Sequence, residues 1–118
     1  MCFDIEHDNP RMPKEGVGYK VFKNSYGSLY SAVLSNGPHK RNVWLKAASF
    51  SGRWEMEGWY IFKTLNGAKR YLIKGNSEVI HKVEYRDLIG TGSDVKKGVP
   101  RIACRAKEMR IKEEITLK

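Results

Sequence analysis

Cysteine is scarce in this sequence: Cys2 and Cys104 are the only two in 118 residues. They form no CxxC pair, and a secreted domain of this size ordinarily carries more of them in a framework. Free thiols in a reducing compartment are therefore expected over a Cys2–Cys104 bridge. Long apolar runs are missing as well. Stretches such as Leu72-Ile73 and Ala47-Ala48 fall far short of the roughly 20 residues that span a bilayer. The opening MCFDIEHDNP places acids where a secretion signal has a basic end and an apolar core, so a cytoplasmic location is expected.

Acids are also in deficit. Thirteen Asp and Glu stand against 22 Lys and Arg, a net charge of +9. A field of that sign draws polyanions, whether nucleic acid or an acidic protein face. Complete catalytic motifs are absent: there is no GxSxG, no HExxH and no carboxylate pair whose spacing can be argued. The glycines and lysines between Gly90 and Gly98 suggest a phosphate cradle, but no GxxxxGK[ST] spacing exists, and a mobile surface loop is the expectation. Met1-Cys2 is followed by Phe3 where amidotransferases with an N-terminal cysteine nucleophile show glycine, and the chain is too short for that fold. Asp4, His7 and Asp8 lie in an irregular arm without a second ligand cluster, so no metal and no cofactor is expected.

What is present is enough for one core. Forty-one per cent of residues are hydrophobic and the length suits a single domain. Residues 1–17 show no periodicity and read as an irregular arm, followed by a domain over 18–118. Gly18–Lys23 and Ser28–Val33 predict a hairpin around Asn24-Ser25-Tyr26-Gly27. His39-Lys40-Arg41 reads as a charged loop, Val43–Lys46 as a short strand and Ser49–Glu57 as a polar connection. An aromatic strand over 58–63 then runs into Thr64, a good N-cap, with Leu65, Ala68, Tyr71 and Leu72 at helical spacing. Gly67 weakens that helix by about 1 kcal/mol relative to Ala, so it depends on packing.

Val79, His81, Val83 and Tyr85 alternate with Lys82, Glu84 and Arg86, which predicts a half-buried strand with His81 in the core. Arg101–Cys104 predicts a further strand. Residues 105–117 carry both patterns, and the period-two placement of Met109, Ile111, Ile115 and Leu117 favours a strand from about Met109. The expected fold is thus α+β, a small twisted, mainly antiparallel sheet with one main helix at about 64–73.

For function, the middle third interleaves Trp44, Trp54, Trp59, Tyr60 and Phe62 with Lys46, Arg53 and Lys63. Rings beside cations are the physics of single-strand binding, at roughly 1–3 kcal/mol per stacked base. Core packing is the competing explanation. Trp59 and Tyr60 point to opposite faces of one strand, so at least one belongs to the core, whereas Trp54 sits in a polar stretch and is the aromatic expected to be exposed. The candidate binding residues are Lys40, Arg41, Lys46, Arg53, Trp54, Lys69, Arg70, Lys96 and Lys97.

Two resemblances bear on the reading. The order Gly18–Val21, Gly58–Thr64 leading to Ala68 and Tyr71, Val79–Tyr85 and Lys107–Ile115 resembles small domains of phages and prokaryotic genomes, for which no activity is implied. Gly58, Tyr60, Phe62, Ala68 and Tyr71 are also similar to the strand-and-helix unit of ADP-ribosyltransferases. That likeness implies a nucleotide pocket lined by Tyr60 and Tyr71. The first strand, Tyr19-Lys20-Val21, lacks the His or Arg that holds NAD in those enzymes, and only Glu113 or Glu114 stands late enough to serve as their glutamate. The favoured expectation is a binding protein of viral or mobile-element type that contacts nucleic acid or an acidic protein surface without catalysis. An enzyme or nucleotide binder of ADP-ribosyltransferase type is the alternative. A purely structural subunit would instead bury Trp54 or Trp44 in an oligomer.

Overall fold

A computed structural model describes residues 5–31, 37–47, 58–72, 77–96 and 99–116. These hold seven strands and one short helix: β1 (Ile5–Glu6), β2 (Gly16–Ser25), β3 (Ser28–Ser31), β4 (Trp44–Lys46), β5 (Trp59–Phe62), α1 (Leu65–Lys69), β6 (Glu78–Lys96) and β7 (Val99–Ile115). Every pairing between the strands is antiparallel.

The two longest strands, β6 and β7, form a hairpin paired from Ile80–Ile115 to Lys96–Val99. β2 lies along the other edge of β6, from Gly16–Tyr85 to Lys23–Glu78. β5 lies along the other edge of β7, from Trp59–Ala106 to Phe62–Ala103. β2 and β5 then meet at Tyr19 and Phe62. The pairings β2–β6–β7–β5–β2 therefore close into a ring, a small barrel in which these strands leave few open edges. Closure requires β2 and β5 to come very near each other, and Gly18 is what permits it: a Cβ there would stand 2.7 Å from the Phe62 carbonyl oxygen and against Ile61 Cγ2.

Alternation along the strands separates two cores. Phe22, Ile61, Val83, Tyr85 and Cys104, drawn from all four ring strands, form the first, with Met12, Leu29, Ala106, Met109 and Ile111. Their sequence neighbours Val21, Tyr60, Phe62 and Ala103 form the second, with Ile80 of β6 and Ala68 of α1. Trp59 and Tyr60 divide between the two, Trp59 packing on the first and Tyr60 buried in the second. His81 is buried in the core as its alternation implies, its ring edge-on to Phe22 at 5.7 Å.

The β2–β3 hairpin turns at Tyr26 and Gly27, whose φ values of 52° and 84° give the double left-handed turn that suits strand twist. Three features differ from the sequence reading. The helix is 65–69, not 64–73: Thr64 caps it by accepting the Gly67 N–H at 3.1 Å, but the first turn has no acid and Gly67 sits inside it. Tyr71 and Leu72 follow in tighter turns, and residues 73–76 lie outside the described residues. The expected loop from Gly90 is mostly strand, because β7 supplies a partner as far as Lys96; residues 97 and 98 lie outside the described residues. Finally, the strands expected at 101–104 and from 109 are parts of one strand, β7.

The first residues are also better anchored than an irregular arm implies. Ile5 and Glu6 pair with Ser93 and Gly92, Met12 is buried, and the Tyr85 hydroxyl donates to the Pro13 carbonyl at 3.0 Å. Asp87 takes a left-handed φ of 59° within β6, the Leu88 N–H turns to the Lys14 carbonyl at 3.1 Å, and the register with β7 slips between Leu88 and Gly90. No helix among the described residues is long and apolar enough to cross a membrane.

Candidate functional site

The outer face of the β6–β7 hairpin carries charge in a cross-strand pattern. Glu84 lies opposite Arg110 and Arg86 opposite Glu108, each pair in direct register. Arg86 grips Glu108 with both Nε and Nη2, at 2.9 and 2.8 Å, and Arg110 Nε donates to Glu84 at 2.8 Å. Lys112 adds a longer contact to Glu84 at 3.8 Å, and Lys82 reaches Glu113 at 3.9 Å.

β4 is laid on this face through its pairing with β7, which sets Trp44 beside Arg110 and Lys46 beside Glu108. The Trp44 ring meets the Arg86 guanidinium at 4.0 Å and that of Arg110 at 4.7 Å. Two arginines fixed by glutamates thus hold a half-buried indole in one orientation. The strand is secured from the other side by Trp59 Nε1, which donates to the Leu45 carbonyl at 3.0 Å. The preceding loop is tied by the Asn42 N–H to the Ile111 carbonyl at 2.9 Å.

Three of the cations picked from sequence belong to the same segment as that indole. Lys40 and Arg41 precede β4, Lys46 ends it, and all three are exposed. None of them makes an ion pair among the described residues, while Glu84 and Glu108 are held by Arg86, Arg110 and Lys112. Lys69 and Arg70 are also exposed but belong to α1 and its C-terminal cap, and that helix packs on β2 and β5 and not on β4. Lys96 is placed by its backbone alone, and Arg53, Trp54 and Lys97 lie outside the described residues. Lys40, Arg41 and Lys46 thus share one segment of chain with Trp44, whereas Lys69 and Arg70 belong to a separate element.

The second aromatic group forms under α1. Tyr60 and Phe62 meet edge-on at 5.3 Å, and Phe62 meets Tyr71 at 5.5 Å. Arg101 lies over Phe62 and Tyr71, at 5.6 and 5.7 Å, and donates to the Gly67 carbonyl at 3.2 Å. Arg101 and Arg105 are both 5% exposed, so two guanidiniums are buried on the strand face that carries Ala103 and opposes Tyr60 and Phe62.

The first core holds polar groups of its own. Lys20 is buried, its Nζ donating to the Tyr60 carbonyl at 2.9 Å. Loss of hydration brings its pKa down to about 8, only partly opposed by the Cys104 thiol. Burial pushes Cys104 up to about 12, with Lys20 pulling the other way. His39 packs edge-on to Trp59 at 5.2 Å, and burial followed by the charge of Lys20 lowers its pKa. It is a packed residue and not the solvated loop histidine that its neighbours suggest.

Sequence reasoning passed over Arg86, Arg110, Arg101, Arg105 and Lys20. The alternation of Lys82-Glu84-Arg86 against Glu108-Arg110-Lys112 was the available signal for the first two, once the strands are paired. Lys20 had none, since an isolated lysine in a strand reads as a solvent-facing residue. Comparison with protein-family models, curated proteins and solved structures finds no match to this chain.

Proposed function

We propose that this chain is a small binding domain that holds single-stranded nucleic acid along the β4 side of its barrel. The observation that carries the reading is an oriented indole, Trp44, on the segment that also carries Lys40, Arg41 and Lys46, which have no acid of their own among the described residues. Such cations are available to replace the counterions of a phosphate backbone. A ring held on a rigid strand loses little freedom when a base packs on it. The net charge of +9 adds long-range attraction.

The test is fluorescence anisotropy with labelled single-stranded RNA and DNA across a salt series. Binding is expected to weaken steeply with salt, and Lys40→Ala/Arg41→Ala/Lys46→Ala should flatten the log–log slope by roughly 0.7 for each phosphate no longer neutralised. Absence of binding at low salt, or a slope unchanged in the triple variant, sinks the proposal. Capture of an acidic protein with no affinity for oligonucleotides would move the partner to the other class.

A second reading is favoured by one arrangement: Arg101 set among Phe62 and Tyr71, beside Tyr60. Guanidinium and aromatic ring together are suited to a nucleotide, as the resemblance to ADP-ribosyltransferases implies. Thermal shift with NAD separates this reading from the first, because a ligand at 100 times its Kd adds about 2.7 kcal/mol. No shift in Tm retires it.

A further inference from the structure

His7 lies away from the β4 face and extends the β1 ladder, its N–H donating to the Thr91 carbonyl at 3.0 Å. Its ring then reaches two hydroxyls of β6. Nδ1 is 3.1 Å from Thr91 Oγ1, and Nε2 is 2.8 Å from Ser93 Oγ. Thr91 and Ser93, two residues apart, project from the same side of the strand. Thr91 Oγ1 also accepts the backbone N–H of Arg11 at 3.1 Å. Thr91 and Ser93 are 2% and 8% exposed, His7 is half-buried and Arg11 is exposed.

A neutral ring with its proton on Nδ1 satisfies both contacts. With Nδ1–H donating to Thr91 Oγ1, Nε2 keeps its lone pair and accepts the Ser93 hydroxyl proton. A hydroxyl on the bare nitrogen of an imidazole that a third group orients is the arrangement of an activated nucleophile. Burial and the charge of Arg11 both lower the pKa of His7, which favours the neutral ring that such a base needs.

We propose that Ser93 and His7 form a nucleophile–base pair that accepts an acyl group from activated esters, with Thr91 positioning the imidazole. Ser93 Oγ attacks the ester carbonyl as its proton passes to His7 Nε2. The carbon–oxygen bond to the alcohol breaks, and the alcohol leaves with that proton. Water then attacks the acyl-serine, His7 taking its proton and returning it to Ser93 Oγ, so that a carboxylic acid is released. The positive field of Arg11 favours the oxyanion of each step. Thr91 is a hydroxyl where faster hydrolases carry a carboxylate, so the imidazolium gains less stabilisation and turnover is slow enough for acyl-serine to accumulate.

The experiment uses the full chain with two probes. A fluorophosphonate is expected to label one serine, mapped to Ser93 by peptide mass spectrometry, and p-nitrophenyl acetate should give a burst followed by slow hydrolysis. Ser93→Ala should abolish labelling, and His7→Gln should slow it about 100-fold while leaving the circular-dichroism spectrum unchanged. Thr91→Val should slow labelling and Thr91→Ser restore it, since only the hydroxyl positions the ring. Peptide mapping in the unmutated chain needs no variant to fold. A label on a lysine or another serine, or an acetate-ester rate equal in Ser93→Ala, overturns the proposal and leaves the three residues as a tie for the first strand.

Discussion

Lys20 is the residue whose chemistry departs furthest from its place in the sequence. With a folded pKa of about 8 against an ordinary 10.5, the folded chain binds fewer protons than the unfolded one between those values. Stability therefore rises as pH increases from about 8, because the buried ammonium sheds its proton while the unfolded lysine keeps it. Cys104, at about 12 in the fold against an ordinary 9.0, acts oppositely once the unfolded thiol ionises above 9. Tyr85, raised by burial to about 12 from 10.0, adds to the loss above 10. Urea denaturation across pH 7–11 should accordingly show maximal stability near pH 9. Lys20→Met should remove the rising limb and stabilise the chain at pH 7, by at most about 3 kcal/mol on the size of the shift. Cys104→Ala should instead delay the fall at high pH. Trp44→Ala belongs to the same scale: it removes the surface on which Arg86 and Arg110 rest, and should weaken oligonucleotide binding by about 1–3 kcal/mol if a base packs there.

Among the elements, those legible in the sequence were the ones governed by their own residues. Turn chemistry at Tyr26-Gly27 and the Thr64 cap are local, and both stand where the sequence put them. Thr64→Ala should cost about 1 kcal/mol by thermal denaturation, since it leaves the Gly67 N–H without its acceptor. The elements that could not be read were those fixed by a partner. Gly90, Gly92 and Asp94 look like a loop in isolation, and only pairing with β7 makes them strand. The ambiguity of residues 105–117 ended in the same way, because Glu108 and Glu113, good helix formers, sit opposite cations on a strand. The candidate site shares this limit. Lys40, Arg41 and Lys46 could be picked by charge, but their glutamate-fixed indole emerges only when β4, β7 and β6 lie side by side. Tyr60 and Tyr71 were legible as a pair, whereas Arg101 enters their group across the β5–β7 ladder.

For the whole molecule, ring closure is the most exposed point. β2 and β5 share only the Tyr19–Phe62 pairing, and their approach depends on the missing side chain at Gly18. Gly18→Ala forces a methyl onto the Phe62 backbone, which cannot yield as a side-chain tip would. It should cost about 1–3 kcal/mol and show early hydrogen exchange in β5 before global unfolding. Loss of stability without any local opening at β5 would argue that the two strands part only when everything does.

The β6–β7 hairpin also sets an order in time. It is the last part of the described chain to be synthesised, yet β1, β2, β4 and β5 all lie along it. As translation proceeds, Tyr19, Val21, Phe22 and the Trp59–Phe62 segment leave the ribosome before the strands that will cover them exist. This domain therefore completes its fold only after most of its chain has been made, and its earliest hydrophobic strands wait in water. A ribosome-bound chain stalled before residue 99 should be protease-sensitive throughout, and should draw chaperones that the finished barrel does not.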